Sequence, residues 1–177
     1  MNALNKAAAS GGFTWDKLGN IEQGREDLGM EMPVLVYRLM EYTMLDVLAE
    51  GLGLEKANEY FKRAGFLAGG EFAKNCLDLD LGFDAFLAGL QSKLKDFKIG
   101  ILRMESYEEG SGKMTLTLGQ DLDCSGIPVS DETVCHYDEG FLAGILGAYT
   151  GRNYEFKEVD CWASGDRICR FIGSAED

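Results

Sequence analysis

Basic residues are scarce in this 177-residue chain: 17 lysines and arginines stand against 30 aspartates and glutamates, a formal charge of −13. Nucleic acid demands a basic surface for its phosphates, and an anionic membrane does the same, so neither is expected as a partner. The acidic excess names no partner of its own, because a solvated surface accounts for it. Histidine is scarcer still: His136 stands alone, too little for a catalytic triad. No window approaches the roughly 18 uninterrupted apolar residues of a membrane span. No glycine-rich dinucleotide turn follows a strand, since the glycines of "GILGAYTG" lie inside an apolar helix. Helix-turn-helix and ATPase motifs are missing too. The opening "MNALNKAAASGG" has one lysine and no apolar core, and reads as a loose tail, not a secretory signal.

What is present suits a globular domain: 46% hydrophobic and 11% aromatic residues, in a length that buries a real core as one unit. Residues 1–30 read as a tail and an irregular or short extended arm, and residues 31–177 as a single domain. From Pro33 the periodicity is helical, with Leu35, Leu39, Tyr42, Leu45 and Leu48 on one face and Gly51 and Gly53 at the end. A second helix carries Ala57, Tyr60, Phe61, Ala64, Leu67, Ala68 and Phe72 on one face, and a third carries Phe86, Leu87, Leu90 and Leu94. Then "KIGILRMESY" and "GKMTLTLGQDL" alternate as strands around the turn "EEGSGK". A fourth helix is expected from Ser130 as N-cap, followed by Asp131 and Glu132. "NYEFKEVDC" and "DRICRFIG" supply two last strands. The order predicts an α+β fold, with an antiparallel sheet of about four strands packed on a helical layer. The word Phe-Leu-Ala-Gly recurs at 66–69, 86–89 and 141–144, twice as GFLAG with glycines four apart. Close helix packing is its simplest use, and an exposed glycine face for dimerisation is the other.

Five cysteines with no secretory signal imply a reducing, cytoplasmic compartment, where clustered thiols bind metal or do chemistry more often than they form disulfides. Cys76 sits alone on an apolar helix and reads as a small core residue. Cys161 and Cys169 flank a Trp-Ala-Ser-Gly-Asp turn between two strands, and Cys135 lies at the fourth helix. Three thiolates so placed hold zinc if a fourth ligand exists. Cys124, His136, Glu158 and Asp160 are the candidates. His136 neighbours Cys135 on a helix, where side chains diverge by about 100°. Asp160 faces away from Cys161, and Glu158 needs a bulge to face the same way. Cys124 meets no such objection and makes the site all-thiolate, which also suits an iron–sulfur cluster. Spacing alone leaves the choice open. Paired acids such as Asp138–Glu139 and Glu108–Glu109 read as solvated surface.

The stretch "VCHYDEGFLAGILGAYTGRNYEFKEVDCWASGDRICRF", residues 134–171, with "DLDCSGIP" upstream, resembles the 4-vinyl reductase domain family. The resemblance is strong over about residues 98–173 and weaker over 33–97. That family is similar in fold to the aromatic-sensing domains of phenol- and toluene-responsive activators and to subunits of a vesicle-tethering complex. The sensors hold zinc through a Cys-x22-Glu-x2-Cys-x7-Cys pattern, which Cys135, Glu158, Cys161 and Cys169 reproduce. The resemblance thus implies those four as ligands of a structural zinc, over Cys124 and His136. It also implies an internal pocket for a small apolar ligand. Phe156 occupies a position where the sensors often carry a pocket tyrosine, which disfavours a phenol here, and Trp162 is expected to pack over the site. Homodimerisation through the helical half is implied as well. The reading is a non-catalytic, cytoplasmic small-molecule sensor whose output passes through another protein. A carrier or assembly scaffold for a tetrapyrrole or corrinoid, and an iron–sulfur or haem sensor, are the competitors. The family's reductase name finds no catalytic constellation in this chain.

Overall fold

The computed structural model describes residues 12–175, and the chain divides into two compact units after Glu31. Residues 1–11, where the loose tail was expected, lie outside the described residues. In the first unit the expected irregular or extended arm holds two helical turns instead, Trp15–Leu18 and Ile21–Gly24. Asn20 caps the second by accepting the Gln23 N–H at 3.0 Å, the local bond that favours asparagine at such starts.

The second unit runs α1 (Val34–Leu52), α2 (Leu54–Cys76), α3 (Phe83–Asp96), β1 (Ile101–Glu108), β2 (Lys113–Gly119), α4 (His136–Thr150), β3 (Tyr154–Asp160) and β4 (Cys169–Ala175). The fold is α+β. Its strands form one antiparallel sheet in the order β1-β2-β4-β3. The alternation seen in the sequence becomes the pleat: Met114, Leu116, Leu118, Tyr154, Phe156, Phe171 and Gly173 all face inward. α3 contributes Phe86, Leu90 and Leu94 to the core, and the Phe86 ring stacks on Tyr149 with centroids 3.8 Å apart.

The two GFLAG words pack against each other. An added Cβ on Gly65 or Gly69 of α2 would fall on the carbonyl of Tyr137 or Phe141, and one on Gly140 or Gly144 of α4 on that of Lys62 or Phe66. Glycine is required at all four because each helix backbone occupies the space where the other's side chain would be. This contact also corrects the expected buried face of α2. Its fully buried positions are Ala57, Gly65, Gly69, Phe72 and Ala73, whereas Tyr60 and Leu67 are 42% and 43% exposed. The third copy of the word differs, for Gly89 in α3 has open space around its Cα.

Two other elements depart from expectation. α4 begins at His136 with Cys135 as N-cap, not near Ser130. The N–H groups of Ser130 and Asp131 both donate to the Ala163 carbonyl, at 2.8 and 3.2 Å, and Asp131 takes a left-handed φ of 60°. That tertiary contact outcompetes a local helix start. α1 has no fully buried residue. Of the face expected to be buried, Tyr42, Leu45 and Leu48 are half-buried, while Leu35 and Leu39 are 68% and 57% exposed. Among the described residues, no helix is long and apolar enough to cross a membrane.

Candidate metal centre and adjoining pocket

Four sulfurs meet at one end of the sheet. Cys169 opens β4 and pairs across the ladder with Leu118 of β2. Cys161 follows β3, in a turn closed by Ser164 and Asp166 N–H groups donating to its carbonyl at 3.1 and 3.0 Å. The Ser164 hydroxyl accepts the Cys161 N–H at 3.0 Å, so the turn is held from both sides. Cys135 caps α4, and Cys124 sits in the loop after β2. All four are at most 1% exposed. Their Sγ atoms lie within 4.8 Å of one another, with Cys135 at 3.8 Å from both Cys161 and Cys169 and Cys124 at 3.1 Å from Cys169. A tetrahedral zinc–thiolate site, with bonds of about 2.3 Å, places its sulfurs about 3.8 Å apart. The cluster has the burial, donor chemistry and spacing to hold a metal ion.

The thiols share protons unequally. Hydrogen bonds from Cys124, then Cys135 and Cys169, hold the Cys161 thiol well below its ordinary range. The Cys124 side chain is also the largest influence pushing Cys135 and Cys169 well above theirs. One thiolate solvated by its neighbours is what a cationic centre would replace, releasing protons.

Glu158 stands beside this group. A register shift in the β3–β4 ladder between Glu158 and Asp160 supplies the bulge its orientation needs. Its Oε2 accepts the Cys135 N–H at 2.9 Å, and its Oε1 is buried without a hydrogen-bond partner. Burial, then the neighbouring Cys161 charge, pushes its pKa up to about 8. His136 points elsewhere, with Nδ1 3.8 Å from Glu139 Oε2. Asp160 pairs with Arg170. Phe156 is buried against Gly173 and Tyr154. Trp162 lines an open surface cleft with Arg38 and Gln120, where the Arg167 guanidinium lies 5.3 Å from its ring.

One acidic pair expected at a solvated surface is buried here instead. Asp138 and Glu139 are 4% and 1% exposed. Glu139 is satisfied: its Oε1 accepts the Glu158 N–H at 2.9 Å, and Lys157 and Lys62 reach its two oxygens at 3.1 and 3.2 Å. Burial alone would raise its pKa, but His136, the Glu158 N–H and both lysines outweigh it and set the value at about 2, against 4.5 in an unfolded chain. Its folded pKa is depressed, so its stabilisation is fully present above pH 4.5 and is lost as pH falls towards 2. Glu139→Gln is therefore expected to cost about 2–3 kcal/mol at pH 7. In urea titrations the gap from the parent protein should close progressively below pH 4.5.

Reasoning from the sequence missed the bracing of the Cys124 loop by α1. Arg38 donates to the carbonyls of Leu122 and Ser125 at 2.7 and 2.9 Å. Tyr42 donates to the Asp123 carbonyl at 2.6 Å, and Tyr37 to Asp123 Oδ1 at 2.8 Å. The helical spacing of 37, 38 and 42 held that signal, but their partners lie more than 80 residues away. Beyond this brace α1, α2 and the start of α4 enclose a cavity of about 360 Å³, lined by Tyr37, Glu41, Tyr60, Phe61 and Tyr137 among others. It opens between helices, whereas the resemblance implied an internal pocket.

Residues 114–175 match the model of the 4-vinyl reductase domain, in agreement with the resemblance carried by the sequence. An uncharacterized protein of Methanocaldococcus jannaschii is 27% identical over 85% of this chain and 80% of its own length. The phenol regulator MopR of Acinetobacter guillouiae is 28% identical over 69% of this chain, but over only 24% of MopR. Among solved structures, the phenol-responsive sensory domain of the transcription activator PoxR, with phenol, shares the fold at a TM-score of 0.67, 18% identical over 84% of this chain and 78% of that one. A vinyl-4-reductase family protein of M. jannaschii does so at 0.62, 15% identical over 95% and 100%. A trafficking protein particle complex subunit 3 from Naegleria fowleri, covalently bound to palmitic acid, follows at 0.60, 11% identical over 82% and 98%.

Proposed function

We propose that this chain is a non-catalytic small-molecule sensor domain whose C-terminal hairpin is fastened by one structural zinc ion, and that it acts as a homodimer. The convergence of four buried thiols within 4.8 Å carries the reading. Four protein donors leave no open position for chemistry, so the ion's role is to tie β3, β4, the Cys124 loop and the α4 cap together. The compact sulfur spacing favours a single ion, since a cluster with several irons between its thiolates holds them wider apart. Cys135, Cys161 and Cys169 serve under either choice of fourth ligand. Cys124 completes the set here, with the unpartnered Glu158 Oε1 as its rival.

The cavity beside α1 takes the ligand, an apolar or aromatic molecule, because its walls are mostly rings and aliphatic chains and its volume falls in the range of ligand pockets. Similarity to MopR and to the PoxR domain supports that class. Arg38, Tyr37 and Tyr42 link the cavity's helix to the Cys124 loop, so a ligand that shifts α1 also shifts the metal centre. The exposed apolar residues of α1 (Leu35, Leu39 and Val47 among them) suit a second copy. Such a patch is also what a carrier or assembly scaffold would show, so oligomeric state separates the two readings. Native mass spectrometry of fresh protein is expected to show one zinc mass per chain and a dimer. A metal-free protein would remove the reading, a visible-light absorption band would replace zinc with iron, and a zinc-loaded monomer would favour the scaffold.

A further inference from the structure

Glu41 is the feature that a purely hydrocarbon ligand leaves unexplained. It projects from α1 into the cavity of about 360 Å³, among Tyr37, Tyr60, Phe61, Tyr137 and Met44. Its Oε2 is buried and, among the described residues, has no hydrogen-bond partner. Arg38, its neighbour in sequence, is committed to the carbonyls of Leu122, Asp121 and Ser125. Behind Glu41 stands a second carboxylate, Asp123, 5% exposed, whose Oδ2 is likewise unpartnered. Burial, then the charge of Asp121, pushes the Glu41 pKa up to about 7, as fits an acid with no cation beside it. A buried carboxylate without a counter-charge is costly, and four aromatic rings around it offer negative faces to a cation.

Resting on the sensor reading above, we infer that the ligand of this cavity is an organic cation, an alkyl- or arylammonium whose apolar body lies among the rings and whose charged head meets Glu41. The site selects for the ammonium in two ways. Its charge is answered by Glu41 and, through it, by the Asp123 carboxylate. Its methyl groups, being weakly hydrated, lose little on entering a ring-lined space where a metal ion would forfeit its water shell. An anionic ligand is rejected by the same two carboxylates. A neutral hydrocarbon fills the space but leaves Glu41 unanswered.

The test uses an isosteric pair, phenyltrimethylammonium and tert-butylbenzene, which differ in one atom and one charge. Calorimetric titration of the full chain is expected to give the cation a Kd at least about tenfold lower than its neutral twin. Glu41→Gln should abolish that preference while leaving tert-butylbenzene binding within about twofold. Tyr60→Leu removes a half-exposed ring at the rim and should weaken the cation more than the neutral compound, which covers the case of a poorly folded Glu41 variant. If the neutral compound binds as tightly as the cation, or if Glu41→Gln keeps the preference, the inference is overturned while the sensor reading stands. If neither compound binds, the cavity is not the ligand site and both fall.

Discussion

Cys169→Ala is expected to release the metal and leave a chain that no longer unfolds cooperatively at room temperature. Three arguments set the size of the effect. Structural zinc contributes apparent binding free energies of about 10–16 kcal/mol in small domains, as much as the whole stability of an ordinary one, about 5–15 kcal/mol. Cys169 is also the first residue of β4, which pairs with both β2 and β3, so the sheet is divided where the anchor is lost. Finally, the remaining thiols and Glu158 would stay buried with neither a metal nor a matched set of protons. Metal content by mass spectrometry and the far-ultraviolet circular dichroism signal read the two effects separately. Variants at the fourth position discriminate the donor sets. With four thiolate ligands, Cys124→Ser lowers zinc affinity by orders of magnitude and Glu158→Gln keeps one ion per chain. The opposite pattern would give the fourth position to Glu158. Full metal loading and unchanged stability in Cys169→Ala would end the proposal of a metal centre.

The fold was legible where local chemistry decides it. The strand pairs and their turns follow from alternation, and α1 to α3 from apolar spacing and terminal glycines. Legibility failed where a contact distant in sequence decides. Ser130 to Glu132 have the composition of a helix start, but the Ala163 carbonyl takes the N–H groups of Ser130 and Asp131. Asp138 and Glu139 look like surface acids because adjacent charges usually are. Glu139 is held inside by Lys62 and Lys157, residues 77 positions before it and 18 after. Leu35 and Leu39 are placed on a helix correctly, yet their exposure depends on what, if anything, covers α1. The metal centre was partly readable: Cys135, Cys161 and Cys169 stand out by spacing. Cys124 entered only as an open candidate, since no periodicity links an irregular loop to a hairpin. The loop's position is set by Arg38, Tyr37 and Tyr42.

The same four-residue word should give opposite results at different places in the chain. Glycine to alanine inside a helix ordinarily stabilises by about 0.5–1 kcal/mol, through helix propensity and lost chain entropy. Gly89→Ala is expected to do so, since nothing in the structure approaches its Cα on the side where the methyl would stand. Gly140→Ala and Gly69→Ala are expected to do the reverse by about 3 kcal/mol or more, beyond the usual overpacking cost of about 1–3 kcal/mol. There the new methyl meets the carbonyl of Lys62 or Phe141, a backbone group in the partner helix that no rotamer change can move. α2 and α4 would have to separate along their whole contact. That separation would also draw Lys62 from Glu139 and Phe72 from Phe141, whose rings are 5.3 Å apart. Urea midpoints with unchanged slope would give the three free energies on one scale. Equal small gains at all three positions would mean that α2 and α4 do not approach so closely in solution. A loss at Gly89 alone would mean that its exposed side meets another molecule.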